Sequence, residues 1–378
     1  MSLIIRQLKE KERLSLAEID GFLESHTFPI VEEFTVTFVY RGRAEAVHLQ
    51  HWIYGLPASQ PFERLKGTDL WYLVLELPRN SRVEYKIDVA SNGEREWILD
   101  PLNPLVAHDP FGANSVCHGH GYQSPGWTLP DPEARPGVIH EVSFQSQVFG
   151  QVRDLKIYLP ARFRRRRRYP LLVVHDGDDY LRYAQLRTVL DNLIHRLEIP
   201  PMIVALTQPQ ERLKEYAAHR DQARFVALEL LPFLESEFPL LPSPGARGML
   251  GASLGAVASL FTAWRHPGLY GRLLLQSGSF LFTEIGPHHR GPEFDPVIRF
   301  VNAFREEPGC PSQRLFLSCG IYESLIYYNR SLLPLLEKTG MEVRYKEARD
   351  GHNWENWRDR LRDGLSWLFP GPLWMIYE

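Results

Sequence analysis

The amino-acid sequence predicts an α/β protein that carries a smaller β-sandwich in front of it, and three observations carry that expectation. From Glu33 to about residue 100 apolar residues alternate with polar ones in short runs, the period of half-buried strands. After Gly137 short apolar runs are separated by helical stretches, the grammar of βαβ units and a largely parallel sheet covered on both faces. The 378 residues, 44% hydrophobic and 24% charged, supply core for two or three domains at roughly 150 residues each.

Residues 1–30 mix charge with Leu3, Ile4, Leu8, Leu14, Leu16, Ile19, Phe22 and Leu23, a spacing that predicts one or two short amphipathic helices packed on something larger. Phe34, Val36, Phe38 and Tyr40 then fall on one face of a strand, and Trp71, Leu73, Leu75 and Leu77 on another. Val47 to Tyr54 and Val83 to Val89 are further β-rich runs, punctuated by Gly55-Leu56-Pro57 and Pro78-Arg79-Asn80. Short strands at this spacing predict a sandwich over 31–110. The Pro, Gly and His-rich stretch from Asp100 to Pro136 has little periodicity, and 111–136 is expected to be a linker.

The back domain is expected over 137–378. Val138 to Val148, Val152 to Leu159 and Leu171 to Val174 read as strands, followed by a helix from about Leu181 to Leu197 and the run Met202 to Leu206. A helix over Asp221–Glu237, a strand over Gly248–Leu250 and a helix over Leu254–Trp264 come next. Leu273–Leu275 and Leu315–Ser318, a helix over Ser324–Lys338 and a strand over Glu342–Lys346 complete the alternation.

Forty-three basic against 46 acidic side chains leave a net charge of -3, which speaks against a nucleic-acid partner. The three cysteines, Cys117, Cys310 and Cys319, are odd in number and lack C-x-x-C spacing, so neither a disulfide framework nor a thiolate zinc site is expected. Arg6, Lys9, Glu10 and Lys11 interrupt the apolar start, and no run approaches the roughly 18–20 apolar residues of a membrane span. A cytoplasmic protein is expected, with no membrane partner.

The chemistry centres on Gly251-Ala252-Ser253-Leu254-Gly255. This G-x-S-x-G pattern follows a short strand and opens a helix, the setting of a nucleophile elbow that lifts a serine hydroxyl over the sheet. Serine needs a neighbouring base. In chain order the partners follow as acid and then histidine, and His266, His288, His289 and His352 lie beyond Ser253. His266 sits at the far end of the elbow helix and His288-His289 in a Gly and Pro-flanked insertion, whereas His352 follows the last strand in Asp350-Gly351-His352-Asn353. His352 is the expected base. Glu323, leaving the carboxyl end of the Leu315–Ser318 strand, is the expected acid, with Asp350 as its competitor. The oxyanion is expected to meet the N–H groups of Leu254 and of Asp178 or a close neighbour in His175-Asp176-Gly177-Asp178. No metal ion or organic cofactor is required for such acyl transfer, and Cys117-His118-Gly119-His120 lacks a fourth ligand at usable spacing.

His175-Asp176-Gly177-Asp178, Arg212 to Tyr216, the G-A-S-L-G elbow, Gln276-Ser277-Gly278-Ser279-Phe280 and Gly351-His352-Asn353-Trp354 together resemble the enterochelin esterases within the esterase D-like family of α/β hydrolases. Gly67-Thr68-Asp69-Leu70-Trp71-Tyr72 and Asp100-Pro101-Leu102-Asn103-Pro104 resemble the front domain of those enzymes, an immunoglobulin-like sandwich related to glycogen-binding modules. The resemblance implies an α/β-hydrolase fold and hydrolysis of the ester bonds of a cyclic catecholate siderophore, with the nucleophile at Ser253, the base at His352 and the acid at Glu323.

A ferric catecholate is anionic, so arginines are expected in its pocket, with Arg212, Arg220 and Arg265 as the candidates. The Arg164–Arg168 run is expected to be a solvated loop. Trp52 and Trp71 are expected to be core rather than a stacking platform. Two other functions compete: an esterase of acylated or feruloylated carbohydrate whose sandwich binds sugar, and a hydrolase-like protein that binds without catalysis. A homodimer is compatible with the sequence.

Overall fold

The periodicities above become real elements because each has somewhere to bury its apolar face. The computed structural model describes residues 3–11, 14–282 and 291–372, so the candidates His288 and His289 lie outside the described residues. The chain divides into two units. One comprises Met1–Ser124 with the short segments Gly320–Glu323 and Ala348–Asn353; the other comprises the rest.

In the first unit α1 (Arg6–Lys9) and α2 (Leu16–Ser25) are the two expected helices. Ser15 accepts the Glu18 N–H while the Glu18 carboxylate accepts the Ser15 N–H, a capping box that starts α2. The strands are β1 (Ile30–Glu32), β2 (Thr35–Arg41), β3 (Ala46–His51), β4 (Ser59–Pro61), β5 (Glu63–Arg64), β6 (Leu70–Glu76), β7 (Arg82–Ser91), β8 (Glu94–Ile98), β9 (Val106–Asp109) and β10 (Gly112–His118). They form two antiparallel sheets, one ordered β1-β2-β6-β5 and the other β4-β3-β7-β10-β9 with β8 paired to β7. Val36, Phe38 and Trp71 from the first pack against Val47, Leu49, Val83, Tyr85, Ile87 and Cys117 from the second. Val39, Leu70 and Tyr72 bury instead against Leu8, Ile19 and Phe22 of the helices and Ile5 just before α1, which is the larger body those helices were expected to need.

The expected linker over 111–136 is corrected at both ends. Gly112–His118 is β10, paired to β7 and β9, and Trp127 is buried in the core of the second unit, with Asn192 donating to the carbonyls of Trp127 and Leu129. The strand was illegible because Asn114 and Ser115 are buried polar residues in it, which erases the alternation.

In the second unit β11 (Val138–Ser146), β12 (Gln151–Leu159), β13 (Leu171–Val174), β14 (Ile203–Thr207), β15 (Arg247–Ala252), β16 (Arg272–Gln276), β17 (Arg314–Gly320) and β18 (Glu342–Ala348) lie in the order β11-β12-β14-β13-β15-β16-β17-β18. β12 runs antiparallel to β11 and β14, and β14, β13, β15, β16 and β17 are parallel. The helices are α3 (Gly177–Arg182), α4 (Leu186–His195), α5 (Arg212–Tyr216), α6 (Arg220–Arg224), α7 (Leu231–Glu237), α8 (Leu254–Arg265), α9 (Asp295–Glu306), α10 (Ile326–Leu336) and α11 (Trp354–Leu368).

Alternate strand residues serve opposite layers. Leu171, Val173, Met249, Leu273 and Leu315 pack with α8, α9 and α10, while Leu172, Val174, Leu250, Leu274 and Phe316 pack with α4 and α11. All four residues of β13 are therefore inaccessible to solvent, as a strand covered on both faces demands. Two expected helices are interrupted. Gln185, at φ 50°, separates α3 from α4, and a π-helical segment, Phe225–Leu230, joins α6 to α7 just before Pro232. Proline lacks an N–H and its ring crowds the preceding turn, and a π-segment absorbs the lost register.

Candidate active site

The turn between β15 and α8 carries Ser253, the expected nucleophile. Ser253 has φ 56° and ψ -118°, a conformation costing a residue with a Cβ about 1–3 kcal/mol. The surroundings impose it. A Cβ on Gly251 would lie 2.2 Å from the Gly255 carbonyl oxygen, and one on Gly255 would meet His175 Cβ at 3.3 Å. The Ser253 N–H donates to the Gln276 carbonyl at 2.9 Å, and its own carbonyl accepts the Ser279 N–H at 3.2 Å. The hydroxyl lies 3.2 Å from that of Ser279. Leu254 is the first residue of α8, so its N–H belongs to the donors a helix start leaves without an intrahelical acceptor.

The loop after β13 supplies the second expected donor. Asp176 has a left-handed backbone, φ 55°, and Gly177 is obligatory because a Cβ there would lie 2.4 Å from Leu206 Cβ. The Asp178 N–H donates to Gln208 Oε1 at 3.3 Å, and the Asp178 carboxylate accepts from Lys156 Nζ at 2.7 Å. The turn is braced from beneath. Arg212 grips the buried Asp176 carboxylate with Nε and Nη2, both at 2.8 Å, and Tyr216 Oη accepts the Asp176 N–H. His175 is wholly buried, with Nδ1 3.1 Å from Ser259 Oγ. Desolvation pushes its pKa down to about 4, so the ring is neutral near pH 7 and ties this loop to α8.

In the first unit, the loops after β17 and β18 bring the expected base and acid together. His352 Nδ1 lies 2.6 Å from Glu323 Oε2, and Glu323 Oε1 accepts the Gly320 N–H at 2.7 Å. Glu323 is buried while the His352 side chain is 36% exposed, so the carboxylate is dry and the ring reachable. The Ile321 N–H donates to the Ala348 carbonyl and the Tyr322 N–H to that of Asp350, lacing the two loops together. Asp350, the competing acid, faces elsewhere: its Oδ1 accepts from Arg82 Nη1 at 3.3 Å, Asn353 Nδ2 at 2.8 Å and the Gly351 N–H at 2.7 Å.

The three candidate arginines separate. Arg212 is engaged with Asp176, and its side chain is 40% exposed. Arg265, a candidate for the substrate pocket, is the last residue of the twelve-residue α8 and exposed, which at ~1.5 Å per residue puts it roughly 18 Å along the helix from Ser253. Arg220 is exposed at the first residue of α6. Trp71 is buried as expected, but Trp52, just past the end of β3, is half exposed. Ser279, Gln208 and Arg82 were missed by sequence reasoning. Ser279 sat within a motif carried by the resemblance, whereas Arg82 meets partners about 270 residues away and has no local signal.

Comparison with known proteins agrees with this architecture. A family model described as "Putative esterase" matches residues 146–368. The iron(III) enterobactin esterase of Escherichia coli strain K12 is 25% identical over 372 residues, covering 88% of this chain and 91% of its own. The crystal structure of the ferric enterobactin esterase from Salmonella typhimurium superposes with a TM-score of 0.76 at 21% identity, over 92% of this chain and 98% of that one. The enterobactin esterase from Shigella flexneri, solved in the presence of enterobactin, gives 0.74 at 22% identity over 97% and 100%. With its strained elbow serine on a sheet of this order, the chain belongs to the esterase family and is an esterase with an α/β-hydrolase-type fold, similar along most of its length to enterobactin esterases.

Proposed function

We propose that the chain is a serine esterase that opens the ester bonds of a catecholate trilactone siderophore of the enterobactin kind. The observation that carries the reading is the backbone of Ser253, held at φ 56° and ψ -118° at the start of α8, a strained turn that presents a hydroxyl beside a helix-terminal N–H. Ser253 Oγ attacks the ester carbonyl and its proton passes to His352 Nε2, while Glu323 on Nδ1 holds the tautomer and stabilises the imidazolium. The tetrahedral oxyanion is received by the Leu254 and Asp178 N–H groups, the latter exchanging Gln208 for substrate. The C–O bond breaks, His352 returns the proton to the leaving alcohol, and water then hydrolyses the acyl-enzyme by the same steps.

The extension to siderophore esters rests on the similarity to enterobactin esterases over both parts of the chain. Arg220 is the arginine we assign to the anionic substrate, and the two packed antiparallel sheets of the first unit we read as the immunoglobulin-like sandwich. We place the reaction in the cytoplasm, in keeping with buried thiols at Cys117 and Cys319. Hydrolysis of ferric enterobactin, followed by mass spectrometry beside a feruloyl ester and an acetylated sugar, tests the reading. Faster kcat/KM on the trilactone, abolished by Ser253→Ala, is expected; preference for the feruloyl ester would replace the substrate, and full activity of Ser253→Ala would remove the mechanism.

A further inference from the structure

An arginine in the sandwich has no task in the chemistry above, yet it is wholly buried. Arg82, the first residue of β7, has no accessible surface. A guanidinium withdrawn from water costs several kcal/mol unless its N–H groups are matched. Here Nη2 donates to Glu84 Oε1 at 2.9 Å, and Nη1 to Asp350 Oδ1 at 3.3 Å and Asn353 Oδ1 at 3.0 Å. The Arg82 backbone N–H donates to the Arg349 carbonyl at 2.8 Å. Residues 349, 350 and 353 are thus gripped on both sides of His352.

The acid's loop is tied to the same strand end. Ser81 Oγ and the Tyr322 hydroxyl are 2.5 Å apart, and the Tyr54 N–H donates to the Tyr322 carbonyl at 2.7 Å. Asp350 Oδ1, the common acceptor, also takes the Gly351 N–H and Asn353 Nδ2. A buried ion pair is weak support for stability, because an apolar replacement of equal shape often does as well. What it does supply is one geometry: with Nη2 held by Glu84, the planar guanidinium of Arg82 directs Nη1 at the Asp350 and Asn353 oxygens together.

We infer that Arg82 is a positioning residue for the esterase reaction, and that the sandwich serves as the mount that holds the histidine loop and, through Tyr322, the Glu323 loop in their working conformation. The inference rests on the reading of His352 and Glu323 as base and acid. It assigns the front unit a role in kcat, whereas a module that only binds substrate would act on KM.

The test uses the full-length protein and a small aryl acetate, together with ferric enterobactin, on Arg82→Met, Arg82→Lys, Asp350→Asn and the Arg82→Met/Asp350→Asn double variant. Misplacing a base by about 1 Å costs on the order of 100-fold. Arg82→Met is expected to lower kcat on the aryl ester between 10- and 100-fold with KM changed less than about twofold. Arg82→Lys should recover part of the loss, and the double variant should lose less than the product of the singles, as partners in one network do. A folded Arg82→Met with wild-type kcat, or one that raises KM alone, overturns the proposal. Should Arg82→Met fail to fold, Asp350→Asn and Asn353→Ala decide by the same kcat criterion. Ser253→Ala and His352→Ala in the same series separate the two levels: if these retain activity the reading of the site falls, and if they are inactive while the Arg82 series is unimpaired only the positioning role falls.

Discussion

Replacing Glu323 by glutamine changes one atom and asks the most of the site. Glu323 Oε1 would still accept the Gly320 N–H, so the loop keeps its anchor. At Oε2, now an amide nitrogen 2.6 Å from His352 Nδ1, the side chain donates where it used to accept. The imidazole proton is driven to Nε2, the atom that receives the serine proton in the proposed mechanism, and the imidazolium loses its counter-charge. Two unit charges about 4 Å apart interact by about 4 kcal/mol at an effective dielectric constant near 20, or close to 10³ in rate at 1.36 kcal/mol per decade. Glu323→Gln is therefore expected to lower kcat by about 10³ with KM little changed and the unfolding midpoint within a few degrees of wild type. Stopped-flow hydrolysis of an aryl ester reads both the acylation burst and the steady state. A folded Glu323→Gln within tenfold of wild-type kcat would refute the assignment of the acid, and a thousandfold loss in Asp350→Asn instead would move it there.

Four further outcomes follow from the same geometry. Ser253→Gly, freed of the steric penalty at φ 56°, should be stabler by about 1 kcal/mol in urea titration while losing fluorophosphonate labelling. Burial raises the Asp350 pKa from 3.8 to about 6, outweighing the opposing pull of Arg82; the native state thus holds this proton more tightly than the unfolded chain, and the resulting stability is fully present below pH 3.8 and lost as pH rises through about 6. Measured against wild type, Asp350→Asn should gain relative stability between pH 4 and pH 8, by up to about 3 kcal/mol, and an unchanged difference across that range would contradict the burial argument. Arg212→Ala should cost about 2 kcal/mol by denaturant unfolding, below the 3–5 of a fully buried pair because the guanidinium is 40% exposed, whereas Arg265→Ala should leave kcat/KM within twofold.

Sequence reasoning reached the elbow because its physics is local. Gly251, Ser253 and Gly255 lie within five residues, and the crowding that selects them is between a strand end and the helix it starts. Glu323 and His352 were candidates from chain order and strand ends alone, but which of Glu323 and Asp350 pairs with His352 was not legible. Both are acidic residues near a strand end, and what separates them is that one carboxylate faces an imidazole and the other an arginine from β7. The strand Gly112–His118 escaped notice for a related reason: its buried Asn114 and Ser115 are satisfied by partners from Glu84 and Asp100, so polarity there does not mean exposure.

The sequence by itself determined the two classes of architecture and the tight turn that carries Ser253, since periodicity and tight turns are dictated by neighbours a few residues apart. Tertiary structure alone decided the pairing of Glu323 with His352, that of Arg212 with Asp176 and the burial of Arg82 beneath the histidine loop. Those outcomes depend on which charges are desolvated together, and desolvation is a property of the packed chain, set by residues hundreds of positions apart.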